Sequence, residues 1–183
     1  ISQAYKGDIN VIFYYAGHGV PNEKNNEAYL LPADATPSML EACLPLSSLY
    51  SSIGSIDAKQ VIVFMDACFS GSRRENGMIV SARGVAIKPK KDIVTGNVVV
   101  FSAADGSETA YPYKEKGHGL FTYFLLKKLK ESRGNVTLGD LADYIKTNVS
   151  QKSIVVNNKS QTPTISSSAQ MQDVWRTMKL FRK

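Results

Sequence analysis

Three stretches of the chain are apolar almost without interruption. Asp8-Ile9-Asn10-Val11-Ile12-Phe13-Tyr14-Tyr15-Ala16, Gln60-Val61-Ile62-Val63-Phe64-Met65-Asp66 and Asn97-Val98-Val99-Val100-Phe101-Ser102-Ala103 are rich in β-branched and aromatic residues, which suit the pleated surface of a strand. Their continuity predicts strands covered on both faces. A shorter strand is predicted at Ala28-Tyr29-Leu30-Leu31-Pro32. Within Leu44 to Ile56 the period changes: Leu46, Leu49, Tyr50 and Ile53 fall at i, i+3, i+4 and i+7, one face of a helix. Leu120 to Ser132 and Leu138 to Val149 carry the same period. Thr137, with Asp140 three residues on, has the position of an N-cap. The stripe Phe121, Phe124, Leu125 and Leu129 reads as core packing. Alternating strands and helices predict an α/β domain, its sheet mostly parallel, with right-handed crossovers and helices on both faces.

The remainder is less periodic. Residues 72 to 96 form a basic stretch without a repeat, long enough to be a functional, flexible or processed loop. Ile1 to Gly7 reads as the tail of a helix, Gln161-Thr162-Pro163-Thr164 has no clear period, and Val174 to Leu180 predicts an edge strand.

With 183 residues, 43% of them hydrophobic, the chain can fill one core but not two. A net charge of +6 raises the possibility of a polyanion partner. The basic residues are dispersed, however, clustering only at Arg73-Arg74, Lys88-Pro89-Lys90-Lys91 and Lys127-Lys128, and no base-stacking aromatic or glycine motif adjoins them. No nucleic-acid partner is therefore expected. Cys43 and Cys68 are the two cysteines, too few for a disulfide framework and without zinc-site spacing; no metal site is predicted. No apolar run approaches the ~20 residues of a membrane span, and the first residues do not form a signal peptide. These features predict a soluble chain with no membrane partner, the cytoplasm being the favoured compartment.

Open parallel sheets carry their reactive groups just beyond the carboxyl ends of the strands. Here one strand runs into Gly17-His18-Gly19 and another into Ala67-Cys68-Phe69-Ser70-Gly71. An imidazole near a thiol favours the nucleophilic thiolate and can protonate a departing amine, so the pair suits acyl transfer. Cys43, between Ala42 and Leu44, reads as a buried small hydrophobe. His118, in Gly117-His118-Gly119, precedes a helix and reads as a helix-start residue.

Through Tyr14-Tyr15-Ala16-Gly17-His18-Gly19 and Asp66-Ala67-Cys68-Phe69-Ser70-Gly71 the chain resembles the caspase and metacaspase superfamily of cysteine peptidases. There the histidine precedes the cysteine by about 50 residues, as here. Tyr29-Leu30-Leu31-Pro32-Ala33-Asp34, Phe101-Ser102-Ala103-Ala104, Gly119-Leu120-Phe121-Thr122-Tyr123 and Gln161-Thr162-Pro163 extend the likeness over nearly the whole chain. It is nearer to metacaspases and their bacterial relatives than to animal caspases.

The resemblance implies a caspase-like three-layer sandwich spanning residues 1–183 and lacking the first strand or strands of the family domain. The segment that would supply them is then a possible partner. It further implies that Cys68 attacks the scissile carbonyl, His18 protonates the leaving amine, and the backbone N–H groups of Gly19 and Cys68 hold the oxyanion. Where caspases have glutamine two positions before the cysteine, this chain has Asp66, which strand alternation puts on the same side as Cys68. A carboxylate there pairs with Arg or Lys and repels Asp, so the expected partner is a peptide or protein substrate with a basic residue before the cut. Capping of nearby backbone N–H groups is the structural alternative for Asp66. Ser102 would border the same pocket, with Asp105 and then Glu108 as further acidic candidates. Self-cleavage would fall in the basic loop, at Arg73, Arg74 or Lys91, with Arg83, Lys88 and Lys90 nearby. The dyad requires no cofactor; calcium enters only by family resemblance, since no acidic run has EF-hand spacing. A catalytically inactive scaffold and a transpeptidase using the same dyad are the alternatives.

Overall fold

The computed structural model describes residues 1–69 and 93–181. In chain order its elements are β1 (Asn10–Ala16), β2 (His18–Pro21), β3 (Ala28–Leu31), β4 (Leu44–Pro45), α1 (Leu46–Gly54), β5 (Gln60–Asp66), β6 (Val98–Ser102), β7 (Pro112–Tyr113), β8 (His118–Gly119), α2 (Leu120–Ser132), α3 (Leu138–Asn157) and β9 (Thr164–Ser167). The main sheet has the order β1-β5-β6-β9. β1, β5 and β6 run parallel, and β9 pairs antiparallel with β6. The α/β sandwich with a mostly parallel sheet is the architecture expected.

Alternation along β5 and β6 explains the layering. Ile62, Phe64, Val99 and Phe101 point into a core built with Leu120, Phe121, Leu138, Leu141 and Ile145 of α2 and α3. Val61, Val63, Met65, Val98 and Val100 point the other way, onto Leu46, Leu49, Tyr50 and Ile53 of α1. Every residue of β5 is buried, so a run with no polar face is what this central position demands.

β1 corrects the expectation of three strands covered on both faces. It forms the edge of the sheet, its residues alternate between exposed and half-buried, and Ile12 and Tyr14 are 44% and 47% exposed. Ile1 to Gly7 forms successive turns whose bonds are those of a helix end: Tyr5 N–H donates to the Ile1 carbonyl at 3.2 Å, and Gly7, at φ +73°, donates to that of Ser2. α3 is capped as expected, Thr137 Oγ1 accepting from Asp140 N–H at 3.0 Å, but it runs on past Val149 to Asn157.

The predicted edge strand at Val174 to Leu180 is not formed. A 3-10 turn occupies Trp175–Thr177, and an isolated bridge joins Lys179 to Thr137. The segment is apolar because it docks by side chains. Trp175 meets Phe101 edge-on, Leu180 is buried, and Gln60 Nε2 donates to the carbonyls of Lys179 and Leu180 at 3.0 and 3.2 Å. The Met178 carbonyl accepts from the N–H of Leu138, at the start of α3.

Candidate active site

Parallel register carries the two chemistry-bearing segments to one end of the sheet. Ala16, the last residue of β1, lies opposite Asp66, the last of β5, and Gly17 N–H donates to the Asp66 carbonyl at 3.2 Å. Two residues further along, the chains reach His18 and Cys68. His18 lies in a short strand of its own. It opens β2, which leaves the main sheet and pairs antiparallel with β3, His18 opposite Leu31. Cys68 is 7% exposed, in contact with the core beneath α2, and His18 is half-buried.

Glycine is required at two positions here. A Cβ on Gly19 would enter the ring of Phe69 and come within 2.7 Å of the Cys68 carbonyl oxygen. The His18 and Cys68 segments therefore touch main chain to main chain, and the N–H groups expected to hold an oxyanion belong to adjacent strands of backbone. A Cβ on Gly17 would come within 2.6 Å of the Tyr15 hydroxyl. Tyr15 folds back over that glycine and donates to the carbonyls of His18, at 2.9 Å, and Leu31, at 3.1 Å. One phenol thus fastens the backbone of His18 to the strand beside it.

Asp66 is buried at 3% exposure and closes the N-terminus of α2. Its Oδ2 accepts from Thr122 Oγ1 at 2.6 Å and from Thr122 N–H at 3.3 Å. Gly119, the N-cap residue, offers no side chain of its own, and a Cβ there would collide with the Asp66 carboxylate. A residue two positions before the cysteine thus performs a helix cap, the structural role that was the alternative for it. Tyr14 Oη lies 2.7 Å from Thr122 Oγ1. Consecutive tyrosines on opposite faces of β1 therefore reach opposite halves of the site, Tyr14 toward Asp66 and Tyr15 toward His18. Sequence reading missed both tyrosines and Thr122. Strand alternation at Tyr14-Tyr15 and the absence of a capping side chain at Gly119 were the available signals.

Ser102 ends β6 opposite Met65 and Thr164 and is half-buried. Asp105 Oδ1 accepts from the N–H and hydroxyl of Ser107 at 3.1 and 2.9 Å. Glu108 is engaged by Thr162, accepting from its N–H and, at 3.2 Å, its hydroxyl. Both carboxylates thus shape the loop after β6. Gln161, fully buried, ties that loop to the C-terminal segment: Nε2 donates to the Ala103 carbonyl at 2.9 Å and Oε1 accepts from Tyr111 N–H at 2.8 Å. The Gln161-Thr162-Pro163 segment is therefore a structural clasp. His118 is exposed and pairs with Tyr113 immediately before the α2 cap residue. Arg73, Arg74, Arg83, Lys88, Lys90 and Lys91 lie outside the described residues. Among the described residues no group of three or more His, Cys, Asp or Glu could hold a metal ion, and no helix is long and apolar enough to cross a membrane.

Both thiols are free of disulfide bonding. Cys43 is 6% exposed; burial raises its pKa above the ordinary 9.0, and the Glu41 carboxylate adds to the effect. Burial likewise raises Tyr15 above 10.0. Each group binds its proton more tightly folded than unfolded, so its contribution is complete below the unfolded pKa and is lost as pH rises through the folded one. Thermal unfolding measured from pH 7 to 11 is expected to show stability falling above about pH 9. Cys43→Ala should flatten the first part of that fall and Tyr15→Phe the part beginning near pH 10; superimposable profiles would refute the assignment.

A family profile described as the caspase domain matches residues 2–174. Among curated proteins, a paracaspase of Dictyostelium discoideum is 29% identical over 133 residues, which cover 73% of this chain and 30% of the paracaspase. The chain thus spans under a third of that relative's length. Among solved structures, a protein from Geobacter sulfurreducens superposes with a TM-score of 0.61 at 19% identity, over 97% of this chain and 74% of the other. Caspase-1 from Spodoptera frugiperda gives 0.55 at 14% identity, over 91% of this chain and 64% of its own. At these identities the two structures speak for the fold.

Proposed function

The chain belongs to the caspase-domain family of peptidases, and from that premise we propose that it is a cysteine endopeptidase using Cys68 and His18 and cutting after Arg or Lys. The observation that carries the proposal is the parallel register of β1 and β5, continued by the approach of Gly19 to the Cys68 carbonyl. The Cys68 thiolate adds to the scissile carbonyl, and backbone N–H groups of Gly19 and Cys68 receive the oxyanion. His18 delivers a proton to the amine as the C–N bond breaks and a thioester remains. Water, deprotonated by His18, then splits the thioester into a carboxylic acid and the free thiol.

The preference for a basic residue rests on Asp66, a buried carboxylate at the end of the strand that leads to the nucleophile. Its two bonds from Thr122 favour the competing view that it serves as a helix cap alone. Fluorogenic peptides ending in Arg, Lys or Asp separate the two. Basic selection predicts that the Arg and Lys peptides are cleaved at least ten-fold faster than the Asp peptide, whereas cleavage without that preference would leave Asp66 its structural role. Assays with and without calcium belong in the same experiment, as does mass analysis for cuts after Arg73, Arg74 or Lys91. A wild type as inert as Cys68→Ala toward every peptide would make the protein a non-catalytic scaffold.

A further inference from the structure

We infer that Thr122 is the positioning residue for the carboxylate that selects the substrate's basic side chain, and that Tyr14 orients Thr122 in turn. The inference rests on Asp66 acting as that selector. Three observations carry it. Thr122 Oγ1 is 2.6 Å from Asp66 Oδ2 and has one proton to give, which an ionised carboxylate claims as a short, charge-assisted bond. Tyr14 Oη, 2.7 Å from the same hydroxyl, must then donate into it. The N–H of Thr122 reaches the same carboxylate oxygen from the first turn of α2, where the aligned backbone favours negative charge. Asp66 Oδ2 is thereby held by two donors on one buried residue, and the absence of a side chain at Gly119 leaves the space the carboxylate fills.

Holding the plane of the carboxylate has an unequal effect on the two basic side chains. A guanidinium is planar and pairs in a fixed fork geometry, so it is sensitive to how the acceptor is turned. An ammonium acts nearly as a point charge and tolerates rotation. Thr122 therefore sets the preference for Arg over Lys. A residue that served the helix alone would change folding and affect both substrates alike.

Valine keeps the shape of threonine without the hydroxyl, so Thr122→Val isolates that bond. The measurement is kcat/KM for peptides that differ only in Arg or Lys before the cut, with thermal unfolding recorded for each variant. Thr122→Val is expected to lower the Arg-to-Lys ratio by roughly ten-fold, the size of one charged hydrogen bond, and Thr122→Ser should restore it. Tyr14→Phe, at the exposed margin of the sheet, should lower the ratio by about three-fold, as for a neutral hydrogen bond. Equal losses toward both peptides, or an unchanged ratio, would overturn the inference while leaving the peptidase assignment intact. Should Thr122→Val not fold, an unchanged ratio in Tyr14→Phe overturns it by itself. A wild type that cleaves neither basic peptide overturns the selector role of Asp66 and the inference with it, a result distinct from the others.

Discussion

Cys68→Ala is expected to reduce kcat/KM for a cleaved peptide by on the order of 10⁴-fold or more, the scale on which removing the nucleophile of a cooperating pair acts. The variant should remain folded. Cys68 belongs to the same buried core cluster as Phe64, Ala103 and Leu120, and loss of one sulfur atom from such a site costs about 1 kcal/mol. A thermal unfolding midpoint within a few degrees of the wild type would separate lost chemistry from lost structure. A thiol-directed alkylating agent supplies the companion measurement. It should modify Cys68 rapidly in the native protein and leave Cys43 unmodified: the two thiols are almost equally enclosed, at 7% and 6% exposure, but Cys43 donates to the Met39 carbonyl at 3.4 Å and its raised pKa disfavours the reactive thiolate. If Cys68→Ala retained a hundredth of the wild-type rate, the nucleophile would have to be sought elsewhere.

Gly19→Ala should be nearly as damaging, and it touches no reactive side chain. The added methyl would enter the ring of Phe69 and approach the Cys68 carbonyl oxygen to 2.7 Å. The Phe69 ring is side chain and can turn aside, but the Cys68 carbonyl is main chain and cannot, so the two segments must separate. Donors that stabilise a tetrahedral oxyanion act only at hydrogen-bond distance, and loss of one costs about 10²–10³-fold in kcat. The expected result is a fall of that size in kcat with KM little changed, measured on a preparation whose circular dichroism matches the wild type. A rate within three-fold of the wild type would show that the close approach of Gly19 to Cys68 is unconnected with turnover.

Which parts of this molecule could be read in advance follows from the range of the interactions that form them. β5 and β6 were legible because a strand buried on both sides must be apolar along its interior, as theirs are from Val61 to Met65 and from Val98 to Phe101. β1 has the same composition but is the edge strand of the sheet among the described residues, and composition does not tell which strand lies at an edge. The aromatic rings at Tyr14 and Tyr15 serve through their hydroxyls, so residues counted as apolar act as hydrogen-bond donors. α3 outran its predicted end because Ile154 and Val155, both exposed, interrupt the amphipathic period on which the expectation rested. The C-terminal segment was misjudged for a related reason: Trp175 and Leu180 signal burial, which a docked irregular segment satisfies as well as a strand does. His18 and Cys68 stood out because glycines and small residues mark where β1 and β5 end. Their positions along the chain could be read, and their approach depends on the β1–β5 register. The capping role of Asp66 was hidden, since its partner lies 56 residues away on a helix whose own first residues contain no acid or amide to announce the need.

That cap constrains anyone who would redirect the protein to new substrates. Position 66 is the obvious one to randomise, yet most replacements there would uncover the start of α2, and a library so made would be filtered by folding before it could be screened for preference. Asparagine stands apart, being neutral and also among the side chains best suited to a helix start. It is the replacement through which charge and architecture at this position can be varied separately.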